Sequence, residues 1–276
     1  MSNSIQIKKI LEKYNKFPKK SLGQNFLINS EIPKKTAELC FDGCPEQTAG
    51  VLEIGPGLGI LTRELCGLFK KVVAVEIDRT FEPALKEISD EFENLEIIYG
   101  DMLKIDLSGF ENFCVCANLP YYITTPAILK LIKSGVKFSN ITVMIQKEAA
   151  DKLCSKAGGE NYCAASAIIS YFGEAKKIFN VAKSNFYPQP NVLSTVVKIT
   201  PYVSPAANPK SIDLMFKVID AAFEQRRKTL VNALASGLNL EKDKVSDIVL
   251  KITGKENIRG EELDIKAFAD ISDLIF

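Results

Sequence analysis

Short apolar runs alternate with stretches of helical periodicity along the first half of the chain. Val51–Ile54 is apolar but for one carboxylate and runs into a glycine-rich loop, Gly55–Gly59. Ile60–Phe69 then carries helical spacing, Val72–Ile77 a second strand pattern and Phe81–Phe92 a second helix. Leu95–Tyr99 predicts a third strand, closing on Gly100 and Asp101. Phe113–Ala117 predicts a fourth, stopped by Asn118-Leu119-Pro120. A helix from Pro126 to Ile132 and a fifth strand at Ile141–Ile145 complete the series. Continuous apolar strands between amphipathic helices predict an α/β fold, a Rossmann-like parallel sheet covered on both faces. Val192–Ile199 is a late strand, so antiparallel members are expected at the far edge.

The pattern changes after Thr200. Pro201, Pro205 and Pro209, with Ala and Asn between them, form a linker-like stretch. Beyond it Leu214–Phe223, Thr229–Ala235 and Leu263–Ile275 read as amphipathic helices with no strand signal. The expected division is a domain of residues 1–205 followed by a small all-helical domain of residues 206–276.

Composition narrows the chemistry. The 276 residues are 46% hydrophobic, enough for one full core and a smaller second one. No apolar run approaches the roughly 18 to 20 residues of a membrane span, and the lysine-rich N-terminus lacks a secretory apolar stretch. Seven irregularly spaced cysteines argue against a disulfide framework and for a reducing cytoplasm. Histidine is absent, which removes imidazole bases and imidazole metal ligands. No metal is expected. Cys114 and Cys116 read as small hydrophobes on a buried strand, and Cys40 and Cys44 lack further ligands at zinc spacing. The net charge is only +1, but it is uneven. Lys8, Lys9, Lys13, Lys16, Lys19 and Lys20 crowd the N-terminus, and Arg226, Arg227 and Lys228 run together near the other end. Such patches suit binding of a polyanion by one face, and equally a solvated charged terminus.

The loop Glu53-Ile54-Gly55-Pro56-Gly57-Leu58-Gly59 lies between the first strand and the first helix, where nucleotide-binding sheets take their ligand. Glu76 ends the second strand, placed to accept hydrogen bonds from two ribose hydroxyls, and Asp101 ends the third. Three carboxylates at the same sheet edge converge on the crevice where open α/β sheets bind ligands. The loop has the spacing G-x-G-x-G, and Glu53 before it repels a pyrophosphate while orienting a cationic amino acid head. S-adenosylmethionine, with its ammonium, sulfonium, ribose and adenine, matches this pattern better than a dinucleotide.

Asn118-Leu119-Pro120-Tyr121 after the fourth strand suits methylation of the exocyclic amine of adenine. That nitrogen's lone pair is delocalised into the ring. The Asn118 side-chain carbonyl and the Leu119 backbone carbonyl can accept from its two N–H groups and aim the lone pair at a methyl donor. Pro120 stiffens the turn, and Tyr121 offers a face for stacking an extruded base. No strong base is needed, because the nitrogen becomes acidic after methyl transfer.

These segments together resemble the ribosomal RNA adenine dimethyltransferases. The resemblance runs nearly the whole chain. It rests on Gly23-Gln24-Asn25-Phe26-Leu27, the Glu53–Gly59 loop, Glu76-Ile77-Asp78, Gly100-Asp101, Asn118–Tyr121, Gln146-Lys147-Glu148, Phe186-Tyr187-Pro188-Gln189-Pro190 and Phe223–Leu230. Gln225–Leu230 and the helical tail resemble the small-subunit branch, which dimethylates two adjacent adenosines near the 3′ end of 16S rRNA. The resemblance implies a methyltransferase sheet using S-adenosylmethionine, with Asn25, Leu27, Gly55, Glu76, Asp101 and Asn118 as cofactor contacts. It also implies that Phe186 flanks the target base opposite Tyr121; taken alone, Phe186 reads as core packing. Tyr122, Lys152 and Cys163-Ala164-Ala165-Ser166 depart from the family pattern on the substrate side.

Lys19, Lys20, Arg226, Arg227 and Lys228 are the expected phosphate contacts, with the triplet opening a helix and one of its members structural. The expected partner is 16S rRNA in an immature small ribosomal subunit, recognised by shape, with the protein monomeric and in the cytoplasm. Three other readings stand beside this one. They are a large-subunit rRNA adenine methyltransferase, a small-subunit assembly factor that has lost activity, and, more distantly, a nicotinamide-dependent oxidoreductase.

Overall fold

A computed structural model describes residues Leu11–Tyr14 and Gln24–Phe276. In chain order the strands are β1 (Phe26–Leu27), β2 (Gly50–Ile54), β3 (Val72–Glu76), β4 (Leu95–Tyr99), β5 (Phe113–Asn118), β6 (Asn140–Gln146), β7 (Gly173–Val181), β8 (Phe186–Tyr187) and β9 (Ser194–Pro201). Seven form one sheet in the order β4-β3-β2-β5-β6-β9-β7. β2 to β6 are parallel, and β9 runs antiparallel to β6. The antiparallel far-edge strand expected from sequence is therefore present. The chain builds outward from β2 through β3 to β4, then returns to lay β5 on the other side of β2. That reversal opens a crevice at the carboxyl ends of β2 and β5.

Every residue of β2 and β3 is buried, which is why both read as apolar runs interrupted only by Glu53 and Glu76. The helix Ile60–Leu68 covers them with Leu61 and Leu65, and Glu82–Glu91 contributes Ala84, Leu85 and Ile88 at helical spacing. A second, two-stranded ladder pairs β1 with β8, Phe26 against Tyr187 and Leu27 against Phe186.

Two compact units result. The first runs to Ala150 and resumes at Lys176–Pro201; the second comprises Asp151–Ala175 and Tyr202–Phe276. The second unit thus takes in residues 151–175, which a single cut at residue 205 assigns to the catalytic domain. Its aliphatic core carries an aromatic cluster: the Tyr162 and Phe223 rings lie 5.6 Å apart edge to face, and Phe223 lies 6.0 Å from Phe268. Among the described residues no helix is long and apolar enough to cross a membrane.

Some helices had no clear sequence signal, for identifiable reasons. Glu31–Phe41 buries Pro33, Thr36, Ala37 and Cys40, none of them a large hydrophobe. Lys242–Thr253 buries only Val245, Ile248 and Val249 among charged residues. β7 carries Lys176 and Lys177 in its middle, as edge strands often carry charge.

Gly50 opens β2 where the backbone of its neighbour passes closest. A Cβ there would lie 2.6 Å from the Lys71 carbonyl oxygen and 3.0 Å from the Phe113 ring. Backbone cannot yield as a side chain does, so Gly50→Ala is expected to destabilise the protein by roughly 1–3 kcal/mol. Urea unfolding of the full chain checks this; an unchanged midpoint contradicts it.

Candidate active site at the strand ends

The crevice is a single cleft, and its walls contain Asn25, Leu27, Glu53, Gly55, Gly57, Glu76, Asp101, Asn118, Leu119, Pro120, Tyr121 and Phe186. Every cofactor and catalytic residue singled out from sequence therefore faces one space. They arrive from five places: the ends of β2, β3 and β5, the loop after β4, and the β1–β8 ladder.

The glycine loop is held by its own backbone. The Gly55 N–H donates to Val75 O at 2.9 Å, and the Gly59 N–H to Pro56 O at 2.8 Å. Gly57 has φ +56°, which a side chain would strain, and its N–H donates to Glu76 Oε2 at 3.0 Å. Glu76 Oε1 accepts from the Asp78 N–H at 2.7 Å. Two backbone donors thus fix the Glu76 carboxylate against the loop, although burial raises its pKa. Asp78 in turn accepts from Thr80 and from the Gln24 side chain at 3.0 Å. Gln24 belongs to a quoted motif, but sequence alone assigned it no role. Asp101 accepts from the Leu103 N–H at 2.9 Å and remains about one-third exposed, at 31%.

Glu53 differs from the charge expected of it. It is 1% exposed, and its Oε2 has no hydrogen-bond partner; the Thr62 hydroxyl close by has none either. Burial, reinforced by the Glu76 charge, pushes the Glu53 carboxyl up to about 8. Near neutral pH the empty protein holds Glu53 mainly as the neutral acid. A cation placed in the cleft would reverse this by supplying the missing partner.

Among the described residues no lysine or arginine lines the cleft. A pyrophosphate would find no countercharge there. A ligand bringing its own positive charge, vicinal hydroxyls for Glu76 and an apolar ring for Ile77 and Met102 finds all three. The residues present fit S-adenosylmethionine.

On the opposite side, Asn118 ends β5 in register with Met144 of β6. The Leu119 N–H donates to Met144 O at 3.1 Å, anchoring the turn, and Pro120 leads into a short 3₁₀ turn, Tyr121–Ile123. The half-buried Tyr121 lies with its hydroxyl 3.5 Å from Ser194 Oγ, a neighbour with no sequence signal because β9 lies far along the chain. Phe186 is 2% exposed, packs with Leu27, Met144, Val181 and Val196, and also lines the cleft. Its core packing is thus plain, and the same ring borders the cleft.

The basic residues divide. Lys19 and Lys20 lie outside the described residues. Lys13 pairs with Glu87 at 2.7 Å. Arg226, Arg227 and Lys228 do not open a helix: they form the loop between Ile212–Glu224 and Leu230–Gly237, whose start waits for Thr229. Arg226 donates to Tyr162 O at 3.2 Å and pairs with Glu261 at 3.6 Å, while Arg227 and Lys228 are exposed. Of the departures, Tyr122 lines the cleft, 52% exposed. Cys163 and Ser166 form the first turn of the helix Ala164–Phe172, the Cys163 N–H donating to Ser166 Oγ at 2.9 Å.

The family model for ribosomal RNA adenine dimethylase matches residues 15–275. Ribosomal RNA small subunit methyltransferase A of Bacillus licheniformis is 41% identical over 286 residues, covering 99% of this chain and 96% of the relative. The protein of the same name from Clostridioides difficile is 36% identical, covering 100% and 96%. Among solved structures, a dimethyladenosine transferase from Plasmodium falciparum has a TM-score of 0.72 at 26% identity, over 89% of this chain and 95% of that one. The 23S rRNA methyltransferase ErmE, at 20% identity and a TM-score of 0.66 over 90% and 98%, shares the fold.

A buried acid with a raised pKa favours folding while the unfolded form is also protonated, and loses that advantage as the unfolded form ionises. For Glu53 the loss runs from about pH 4.5 to about pH 8 and is complete above it. Glu53→Gln, which cannot ionise, is therefore expected to gain stability relative to the parent across that window. Thermal midpoints of the cofactor-free proteins at pH 4.5, 6 and 8.5 check this; a difference constant with pH contradicts it.

Proposed function

The chain belongs to the ribosomal RNA adenine dimethylase family and is an S-adenosylmethionine-dependent methyltransferase, and from that premise we propose that it dimethylates N6 of two adjacent adenosines near the 3′ end of 16S rRNA. The substrate is an immature small ribosomal subunit in the cytoplasm, and the enzyme acts on it as a monomer during ribosome biogenesis. The observation that carries this reading is that the Asn118–Tyr121 turn and the three strand-end carboxylates face the same cleft.

S-adenosylmethionine supplies an electrophilic methyl group on a sulfonium when bound. Glu53 would hold the ammonium of that cofactor, Glu76 its ribose hydroxyls, and Asp101, about one-third exposed, its adenine. Gly55 and Gly57, without side chains, would leave the backbone open to it, and Asn25 and Leu27 would contact it. The target adenine is turned out of its stack and held between the Tyr121 and Phe186 rings. Asn118 Oδ1 and the Leu119 carbonyl accept from its amino group, pyramidalising the nitrogen. Rate comes from positioning and fixed dipoles, so no side chain takes a proton before the bond forms. After the first transfer the monomethylated amine keeps one N–H, and the same turn can orient it again.

Arg227 and Lys228 meet phosphates of the rRNA, while Arg226 holds their loop in shape. Recognition is by rRNA shape and backbone charge, with a steep salt dependence.

The deciding experiment transfers labelled methyl from S-adenosylmethionine to small subunits that lack the modification, with large subunits as control. Label in N6,N6-dimethyladenosine from small subunits alone is expected. Label in large subunits would mean a large-subunit enzyme, and subunit binding without label an assembly factor. Asn118→Ala is expected to lower turnover by about 10²–10³-fold while subunit binding is retained; near-normal turnover removes the proposed role of the turn. Arg227→Gln with Lys228→Gln is expected to weaken subunit binding and to reduce the slope of log affinity against log salt by about 2. An unchanged slope, read in filter binding, places the phosphate contacts elsewhere.

A further inference from the structure

Four of the seven cysteines meet in the first unit, outside the cleft. Cys40 lies on the helix Glu31–Phe41, Cys44 three residues beyond its end, and Cys114 and Cys116 on β5. Cys40, Cys114 and Cys116 are fully buried, whereas Cys44 is partly exposed. Cys44 Sγ lies 2.9 Å from Cys114 Sγ and 3.1 Å from the Cys40 carbonyl oxygen. The Asn140 side-chain nitrogen, on a residue 3% exposed, sits 3.2 Å from Cys114 Sγ and 3.6 Å from Cys44 Sγ while donating to Cys40 O at 2.8 Å. Nearby, Lys198 donates to the carbonyls of Leu39 and Asp42 at 2.7 and 2.8 Å, and its charge favours ionisation of both sulfurs.

We propose that Cys44 and Cys114 are an oxidative modification site, which hydrogen peroxide converts into an intramolecular disulfide tying the loop after the helix Glu31–Phe41 to β5. The two sulfurs are already in contact, and Cys44 is the partly exposed member of the pair. In the first step the Cys44 thiolate attacks one peroxide oxygen. The O–O bond breaks, and the leaving hydroxide takes up the proton that the thiol gave up. A sulfenic acid on Cys44 and one water result. In the second step the Cys114 sulfur attacks the Cys44 sulfur, the S–O bond breaks, and hydroxide departs with the Cys114 proton as a second water. Two thiols lose two hydrogens and two electrons, and one peroxide becomes two waters.

The step is slow near neutral pH. The hydrogen bond to Cys114 and burial hold the Cys44 thiol above its ordinary range, and the Cys40 thiol and burial do the same for Cys114. The site therefore responds to prolonged oxidant, faster as pH rises, rather than acting as a rapid sensor. Both elements it joins lead to the cleft. β5 ends at Asn118, four residues past Cys114, and the helix begins beside Asn29, whose amide donates to Asn185 Oδ1 at 3.0 Å, next to Phe186.

The test uses the full chain, treated with hydrogen peroxide, quenched with an alkylating reagent, digested and mapped by mass spectrometry. The expected result is a peptide pair linking Cys44 to Cys114, two hydrogens lighter than the free thiols and released by dithiothreitol. Cys66, Cys154 and Cys163 remain alkylatable, and the thermal midpoint rises by a few degrees until reductant is added. In Cys44→Ser the linked pair and the shift are absent, and Cys114 is recovered as a free thiol after unfolding. Recovery of Cys44 as a sulfinic acid, linkage of Cys44 to Cys40, or full alkylation of both sulfurs after unfolding overturns the proposal. Should Cys44→Ser not fold, the map of the parent protein decides alone.

Discussion

A buried carboxyl group at the end of a parallel strand, with one oxygen unpaired, sets the terms for the mouth of this fold. Strands buried on both faces hold Glu53 at 1% exposure, and the neighbouring strand brings Glu76 rather than a cation. Leaving such a group unpaired in low dielectric costs free energy, and it is tolerated as the neutral acid. The surroundings repeat the theme: Glu76 takes two backbone N–H groups, Asp78 takes Thr80 and Gln24, and among the described residues no basic side chain lines the cleft. The site is rich in acceptors and poor in positive charge. A ligand completing it has to bring that charge, which is what a sulfonium bearing an amino acid does and a pyrophosphate cannot.

The opposite wall of the cleft supplies the other half of the proposed chemistry with equally little. Asn118 and Leu119 are placed by strand register and by the Leu119 bond to Met144, not by a loop free to move. On the proposed mechanism their two acceptors need only stand still, since the acidic N–H arises after the methyl group has moved. That explains how a chain without histidine can do this work. The β1–β8 ladder pairs Leu27 with Phe186, so the proposed cofactor contact and the proposed base-flanking ring belong to one hydrogen-bonded unit.

How much of this could be read from the chain follows the range of the interactions. β2 to β6 were legible because each is a mostly apolar run, and the carboxylates were legible because each sits at or near the end of one. The pairing of residues 26–27 with residues 186–187 was not, since nothing local marks a two-residue strand completed so far along the chain. Residues 151–175 join the second unit through packing that no linker signals. Arg226 looked like its neighbours until the Tyr162 carbonyl and Glu261 claimed it. Glu53 was legible as an acid near a strand end, and its raised pKa was not, because ionisation depends on what surrounds a group in space. The same holds for Cys44 and Cys114, 70 residues apart and in contact.

Proton-linked calorimetry of cofactor binding tests the central claim most directly. Near pH 7 the α-amino group of S-adenosylmethionine is mostly charged already, while Glu53 in the empty protein is mostly protonated. Binding measured in buffers of different ionisation enthalpy should therefore release close to one proton, and the release should vanish well above pH 8 and in Glu53→Gln. Binding that releases no proton at pH 7 in the parent protein would mean that Glu53 does not become the partner of the ammonium, and the account of the cleft built on it would fall.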